Sequence, residues 1–381
     1  MSGPLGGLKV LELAGIGPGP YACMLLADLG ADVLRLERGV VDAATDVDWN
    51  LLNRSRPSVA IDLKNEAGRD LVLELAEQAD VLIEGFRPGV TERLGLGPTE
   101  VFARNSRLVY GRMTGYGQEG PLADRAGHDI NYIAVSGALW PVGREGDRPV
   151  PPLNLIGDFG GGALFLVFGV LAAIISARLT GEGQVVDASM VDGSASMMTM
   201  THSFMNRGSW REERGTNILD SGAHFYEVYE TSDGGYMAVG AIEPQFYQEL
   251  LRGLGLIGQE LPDQMDRKQW RSMKETFAAI FASKTRDQWT EIFVGVDACV
   301  TPVLSPREAV KHRFNVGRNV FADLDHIQPS PAPRFSRTPG SIGMSPTQPG
   351  ASTSVGLASW GVAHERQVQL RKAGAFGSRV A

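Results

Sequence analysis

Three things are scarce in this sequence: cysteine, net positive charge and long apolar runs. Each scarcity argues against a class of protein. Cysteine occurs only at Cys23 and Cys299, far apart and without metal-site spacing. The two could pair in space, but the expectation is two buried thiols in a reducing compartment. The formal net charge is −8, so no basic face for nucleic acid is expected, although local basic clusters can still hold phosphate. The longest apolar stretch, residues 163–177, falls short of the ~20 residues a membrane span needs and reads as a buried helix. Residues 1–7 are glycine-rich and lack charged side chains, and Glu12 interrupts the first apolar run, so no secretory leader is expected. The final Ser378-Arg379-Val380-Ala381 is not the usual peroxisomal tripeptide, which leaves the cytoplasm as the expected location.

What is present is an α/β pattern. Residues 9–14 read as a strand, 15–20 as a turn, 21–29 as a helix stopped by Gly30, and 31–37 as a second strand. Such a unit belongs in a parallel sheet. Gly15 and Gly17 begin a dinucleotide fingerprint, with Glu37 twenty residues after Gly17. Pro20, however, stands where the third glycine is needed, and Pro18 and Pro20 remove two amide donors from the loop. A nicotinamide or flavin site is therefore disfavoured.

Further strands are expected at 58–63, 80–84 and 108–113, with a short helix at 90–94 carrying Arg93. In an α/β sheet, ligands sit beyond the carboxyl ends of the strands. Arg38, Lys64 and Arg87 each fall just there. One such cation is ordinarily part of a solvated rim. Recurrence at three strand ends points to a polyanion site, where arginine gives bidentate contacts to phosphate and Lys64 a point charge.

Gly127-His128-Asp129-Ile130-Asn131-Tyr132 lies between a loop and an apolar, helix-like run. A histidine beside an aspartate at such a junction can do acid–base work next to a bound substrate. Asp158 is followed by Phe159, by the triplet Gly160-Gly161-Gly162, and by the most apolar helix of the chain. It reads either as that helix's cap or, if partly buried, as a carboxyl of raised pKa. The glycine triplet allows close approach by another backbone or a ligand.

Met190, Met197, Met198, Met200 and Met205 form a dense group, either core filling or a plastic surface for variable apolar ligands. Strands at 226–230 and 236–240 flank the turn Ser232-Asp233-Gly234-Gly235, a hairpin signal. Helices at 246–251, 270–282 and 286–293 and a strand-bearing segment at 297–304 complete a smaller mixed domain. The Pro-, Gly- and Ser-rich residues 330–354 read as an extended linker, and 365–373 as a short helix. The expected division is a large domain over 1–200, a linker over 201–224, a small domain over 225–310, and a return to the large domain over 311–381.

Together, the stretches GIGPGPYACMLLADLGADVLRLER, LIEGFRPGVTERLGLGP, AGHDINY, LNLIGDFGGG, GQVVDASMVDG, YMAVGAIEPQFY and DACVTPVL resemble one family. It is the α-methylacyl-CoA racemases of the family III CoA-transferase (CaiB/BaiF-type) superfamily, and the likeness runs from Leu5 to about Thr338. The resemblance implies a Rossmann-like parallel-sheet domain built from both chain ends, an inserted smaller α+β domain, and an interlocked homodimer. It implies a cofactor-independent isomerase of fatty-acid metabolism, with CoA as part of the acyl-CoA substrate, no metal, and neither nucleic acid nor membrane as partner. His128 and Asp158 would be the two acid/bases that interconvert S and R 2-methylacyl-CoA thioesters through an enolate. Asp129 would assist beside His128, and Glu243 of the partner's small domain would orient it. CoA would be held by Arg38, by Ile61, Asp62, Leu63 and Lys64, by Gly85, Phe86 and Arg87, by Arg93, and by Gly127, Ile130, Asn131 and Tyr132. The methionine group would be the acyl surface.

Two alternatives share the same CoA site. One is a CoA-transferase with Asp129 as nucleophile, forming a mixed anhydride. The other is a non-catalytic acyl-CoA-binding protein. His128 separates the first from the racemase, because the transferases typically lack a histidine just before the aspartate. Two departures stand in the family's Asn-Met-Leu-Asp-Gly-Gly-Ala-Pro motif, where Ser221 replaces a glycine and His224 a proline. If that loop closes on the site, His224 is an additional titratable group there.

Overall fold

Apolar strands alternating with helices have one stable arrangement, a parallel sheet covered on both faces. The computed structural model describes residues 3–38 and 50–377; the C-terminal tetrapeptide from Ser378 read above for targeting lies outside them. Six strands form the sheet: β1 (Lys9–Leu13), β2 (Asp32–Glu37), β3 (Ser58–Ala60), β4 (Val81–Glu84), β5 (Val109–Thr114) and β6 (Val185–Ser189). Their order is β3-β2-β1-β4-β5-β6, and every pairing is parallel. The order reverses direction between β1 and β4. The crevice beyond the carboxyl ends of those strands is where such a sheet takes its ligand.

The helices between these strands are α1 (Pro18–Asp28), α2 (Glu66–Ala76), α3 (Val90–Arg93), α4 (Pro98–Arg104), α5 (Asp129–Val135) and α6 (Phe165–Thr180), and α7 (Met190–Met197) follows β6. α1 begins three residues earlier than expected, because Pro18 suits a first helical position, where no N–H is needed. The core is mainly aliphatic. The chain end returns to it, burying Leu357, Trp360, Leu370 and Phe376 against the cluster that holds Leu34 and Val59. The helix expected at 365–373 is present as His364–Lys372.

The apolar stretch expected to be a buried helix is longer and more open than that. A π-helical segment, Leu155–Leu164, runs on into α6 as one helix of 26 residues, long and apolar enough by composition to cross a membrane. One side is covered: Leu166, Val170, Ala173 and Ile174 join the core beneath. Leu164, Phe168, Ile175 and Leu179 are exposed. A helix apolar on every face has no periodicity to tell which side stays uncovered. Asp158 and the glycine triplet lie inside this helix, not before it. The triplet does permit a close approach. A Cβ on Gly161 would stand 2.6 Å from the Ser194 backbone nitrogen, so the segment and α7 meet nearly backbone to backbone.

The chain divides into two compact units, Met1–Ser136 with Leu153–Met197 and Asn319–Ala381, and Gly137–Pro152 with Met198–Arg318. The second unit contains α8 (Thr199–Asn206), the antiparallel strands β7 (Tyr226–Glu230), β8 (Tyr236–Gly240) and β9 (Val300–Pro302), and α9 (Pro244–Gly253), α10 (Trp270–Phe281) and α11 (Arg286–Phe293). The hairpin falls on the residues its turn signal marked. The second unit also takes in 137–152, which fall within the large domain expected over 1–200. Arg214 holds that segment: its guanidinium covers the Trp140 ring and donates to the carbonyls of Trp140 and Asp147. Arg144 pairs with Glu227 of β7.

One expectation about a single residue needs correction, and another gains detail. Cys23 is buried, but Cys299 is exposed, where the chain turns through a φ of +51° just before β9. His224, an added titratable group if its loop closes on the site, is buried. It is 1% exposed. Its ring lies among those of Phe225, Tyr247 and Phe277, with Nε2 2.8 Å from the Tyr247 hydroxyl. Burial pushes its pKa down to about 4.

Candidate active site

The carboxyl ends of β1, β4 and β5 and the loops that leave them enclose a cavity of about 490 Å³. Its wall includes Gly15 and Gly17 after β1, Gly85, Phe86 and Arg87 after β4, and Thr114, Gly115 and Tyr116 at and after β5. Gly127, His128, Tyr132, Asp158 and Met190 complete it. His128 and Asp158, singled out from sequence thirty positions apart, thus share one cavity.

His128 is the N-cap of α5, in extended backbone, and its side chain is exposed. Its N–H donates to Asn131 Oδ1 at 3.1 Å, so Asn131 fixes the backbone that carries the imidazole. Asp129, in the first turn of the same helix, points inward and is buried. Its Oδ2 accepts the Asp158 N–H at 2.7 Å. Its Oδ1 is buried with no partner among the described residues. Gly157 must be glycine, since a Cβ there would stand 2.6 Å from Asp129 Oδ2.

Asp158 is half-buried, and Asn154 Nδ2 donates to its Oδ2 at 3.0 Å. Burial pushes the carboxyl up from its ordinary value, and the nearby Asp129 charge adds to this. The Asn154 hydrogen bond and His128 act the other way. Gly17, at a φ of +66°, faces the same carboxyl, and a Cβ there would meet Asp158 Oδ2 at 3.2 Å. The Gly15–Gly17 turn, disfavoured as a dinucleotide site, has another use. Its role here is to leave room beside Asp158.

Other expected residues take less direct positions. The Tyr132 ring is gripped by two glycines: a Cβ on Gly115 would stand 2.0 Å from it, and one on Gly127 2.7 Å. Its hydroxyl donates to the Gly127 carbonyl, so Tyr132 buttresses the wall. Burial pushes that phenol up to about 12. Ile130 and Asn131 are exposed and lie outside the cavity wall. Ile61 is core and Leu63 packs against it. Asp62 Oδ1 accepts the Lys64 N–H. Arg38, Lys64, Arg87 and Arg93 are exposed, and the first three follow β2, β3 and β4 as expected of a rim. Glu243 is exposed at the N-cap of α9 in the second unit. The methionines divide: Met190 is buried at the cavity, while Met197, Met200 and Met205 are exposed.

Several wall residues escaped the sequence reading. Arg125 lies on the loop ahead of Gly127, and Met113 is the last residue but one of β5, which is buried throughout. Glu12 and Glu84 are buried carboxylates at the ends of β1 and β4. Arg35 and Arg56 hold Glu12 at 2.9 and 2.6 Å, and Arg112 holds Glu84 at 2.9 Å. A polar residue inside an apolar strand was the available signal. Among the described residues, no group of three or more His, Cys, Asp or Glu side chains is placed to hold a metal ion.

An imidazole and a carboxyl of raised pKa in one cavity can exchange protons with a bound ligand from two positions. Residues 5–353 match the family described as CoA-transferase family III. The chain is 48% identical over 337 residues to the alpha-methylacyl-CoA racemase of Mus musculus, covering 88% of this chain and 87% of that one. It is 46% identical to the alpha-methylacyl-CoA racemase of Homo sapiens over the same shares. The fold is similar to that of a CAIB/BAIF family protein from Brucella suis, with a TM-score of 0.82 at 23% identity, over 94% of this chain and 100% of that one. By the match along most of its length and by relatives sharing nearly half its residues, the chain belongs to CoA-transferase family III.

Proposed function

We propose that the protein interconverts the S and R epimers of 2-methylacyl-CoA thioesters by 1,1-proton transfer through an enolate. One observation carries this reading: the exposed His128 imidazole shares a cavity with a half-buried carboxyl, Asp158, whose burial favours the proton-bearing form. Neutral His128 takes the α-proton from the S epimer, and protonated Asp158 returns one to the opposite face. In the reverse direction the roles exchange.

A thioester α-proton is a far weaker acid than any protonated side-chain base. The developing enolate oxygen therefore needs pre-organised donors. Asp129 supports the reaction by holding the Asp158 backbone. Its buried, hydrogen-bonded carboxylate favours that part over a nucleophile's. Glu243 of the partner subunit orients His128. Arg38, the Ile61–Lys64 turn, the Gly85–Arg87 loop and Arg93 hold CoA, and Gly127 and Tyr132 shape the wall beside it. The homodimer is supported by the exposed apolar face of α6, which a second copy would cover.

The test uses a single epimer of a 2-methylacyl-CoA in deuterated water with no acceptor acid. Racemisation with α-deuterium incorporation is expected. Acyl transfer to an added free acid, without exchange, would overturn the reading in favour of the transferase.

A further inference from the structure

Arg112 lies on β5 directly across from Glu84 of β4 and is buried. It is not part of the cavity wall, yet it controls a stretch that is. Its Nε donates to Glu84 Oε1 at 2.9 Å, and its Nη2 to Thr91 Oγ1 at 3.1 Å and Glu92 Oε2 at 3.2 Å. Its Nη1 pairs with Glu92 Oε1 at 2.8 Å. The other Glu84 oxygen accepts the Phe86 N–H at 2.6 Å. One planar guanidinium therefore grips the end of β4 and the start of α3 together. Between these anchors runs Gly85-Phe86-Arg87-Pro88, all of it cavity wall.

A buried ion pair of this kind is a weak source of stability compared with well-packed apolar residues, since both charges must leave water. Its worth lies in geometry. Arginine's rigid fork can satisfy three separate acceptors at once, which lysine's single ammonium cannot do in the same directions. The exposed cations Arg87 and Arg93 stand within and just after the segment that Arg112 fixes. Held in place beforehand, they receive a phosphate without first being ordered.

We propose that Arg112 is a positioning residue for the nucleotide end of the CoA thioester, acting through Glu84 and Glu92 to hold the 85–93 segment ready for its phosphates. The proposal rests on the acyl-CoA reading above. It separates substrate binding, which Arg112 governs, from proton transfer, which His128 and Asp158 govern.

The test compares Arg112→Lys, which keeps the buried charge, with Glu92→Gln, which changes a carboxylate already 43% exposed and should fold normally. Calorimetry with free CoA gives Kd. Racemisation is measured on a 2-methylacyl-CoA and on the matching pantetheine thioester, which lacks the nucleotide. Arg112→Lys should raise the CoA Kd and the acyl-CoA KM about tenfold, and Glu92→Gln about threefold. In both, kcat at saturation and kcat/KM on the pantetheine thioester should stay within about twofold of the parent. Arg104→Gln, which breaks the exposed pair with Glu77, serves as control and should change neither constant. An unchanged CoA Kd in folded Glu92→Gln and Arg112→Lys overturns the proposal. So does an equal loss on both thioesters, the pattern of general structural damage. If Arg112→Lys does not fold, Glu92→Gln alone decides. If the parent protein binds CoA without racemising, the racemase reading fails, while the Kd comparison still decides the role of Arg112.

Discussion

The two units bury different things. The first has a mainly aliphatic core, but beside its cavity it encloses charge: Glu12 with Arg35 and Arg56, Glu84 with Arg112, and Asp129 with one unpartnered oxygen. The second encloses rings: Phe225, Tyr229, Trp270, Phe277, Phe281 and Trp289, stacked, tilted or edge-on at centroid distances from 5.0 to 6.0 Å. Aromatic pairs add about 0.5–1.5 kcal/mol each beyond the area they bury, whereas buried ion pairs add little over apolar replacements. The contrast assigns different work to the units. The first sacrifices stability to hold polar groups where a ligand binds, and the second is packed for stability.

The strongest test of that contrast is Asp158→Asn. Racemisation should fall by about 10²–10⁴-fold, the usual worth of a positioned acid or base. Stability should move the opposite way. The folded chain raises the Asp158 pKa, so the carboxylate form is disfavoured by folding at neutral pH. Any stability tied to this group is present below the unfolded pKa and lost as pH rises through the folded one. Asparagine removes the loss, so Tm should rise at pH 7 and the gain should vanish near pH 3. His128→Ala should lose a similar rate with no Tm gain, because its side chain is exposed. Thermal melts of both variants at the two pH values, alongside exchange assays, check the pattern. An equal Tm gain at both pH values would remove the titrating carboxylate as its cause.

In the second unit the buried imidazole of His224 should act as a liability in acid. His224 has a folded pKa of about 4 against an ordinary value of 6.5, so the unfolded chain takes up its proton first. Stability present above about pH 6.5 is lost as pH falls toward 4, by about 3 kcal/mol. Urea titrations of the parent and His224→Gln at pH 7.5 and 4.5 isolate this group from every carboxylate that titrates in both. The variant should lose less on acidification. Identical losses would mean that the imidazole is hydrated or finds a partner for its Nδ1.

The same contrast explains what was legible in the sequence. β7 and β8, and the helix Arg286–Phe293, formed on the residues expected, because their turn and capping signals are local. The strands ending at Glu37, Glu84 and near Thr114 were placed to within a residue, and with them the cations of the rim. His128, Asp129 and Asp158 were singled out because a histidine beside an aspartate marks a loop–helix junction and an aspartate precedes a glycine triplet; His128 and Asp158 share the cavity, and Asp129 bonds the Asp158 N–H. Glu12, Arg56 and Arg112 were not, since each bonds a residue at least 20 positions away and nothing local marks the pairing. The burial of His224 was illegible for the same reason: its cage comes from Tyr247 and Phe277, far along the chain.

The smallest expected effect lies at the other departure from the family motif. Ser221 adopts a φ of +72°, a left-handed conformation that glycine takes freely and serine does not. The backbone has no other choice there. The preceding turn is fixed by Asn217, whose N–H and Nδ2 donate to the two Asp220 oxygens at 2.7 and 2.8 Å. The next residue, Gly222, is locked in place, since a Cβ on it would stand 2.3 Å from the Thr216 carbonyl carbon. Lys274 Nζ holds the Ser221 carbonyl at 2.9 Å, so the peptide cannot turn to relieve the strain without losing that bond. Ser221→Gly relieves the strain and gives back part of the gain as added freedom in the unfolded chain. The net result should be a stabilisation of about 0.5–1 kcal/mol, read as a higher urea midpoint at unchanged slope. Ser221→Ala keeps the Cβ and should show no such gain. Equal midpoints for the glycine and alanine variants would place the cause in the serine hydroxyl instead of the backbone.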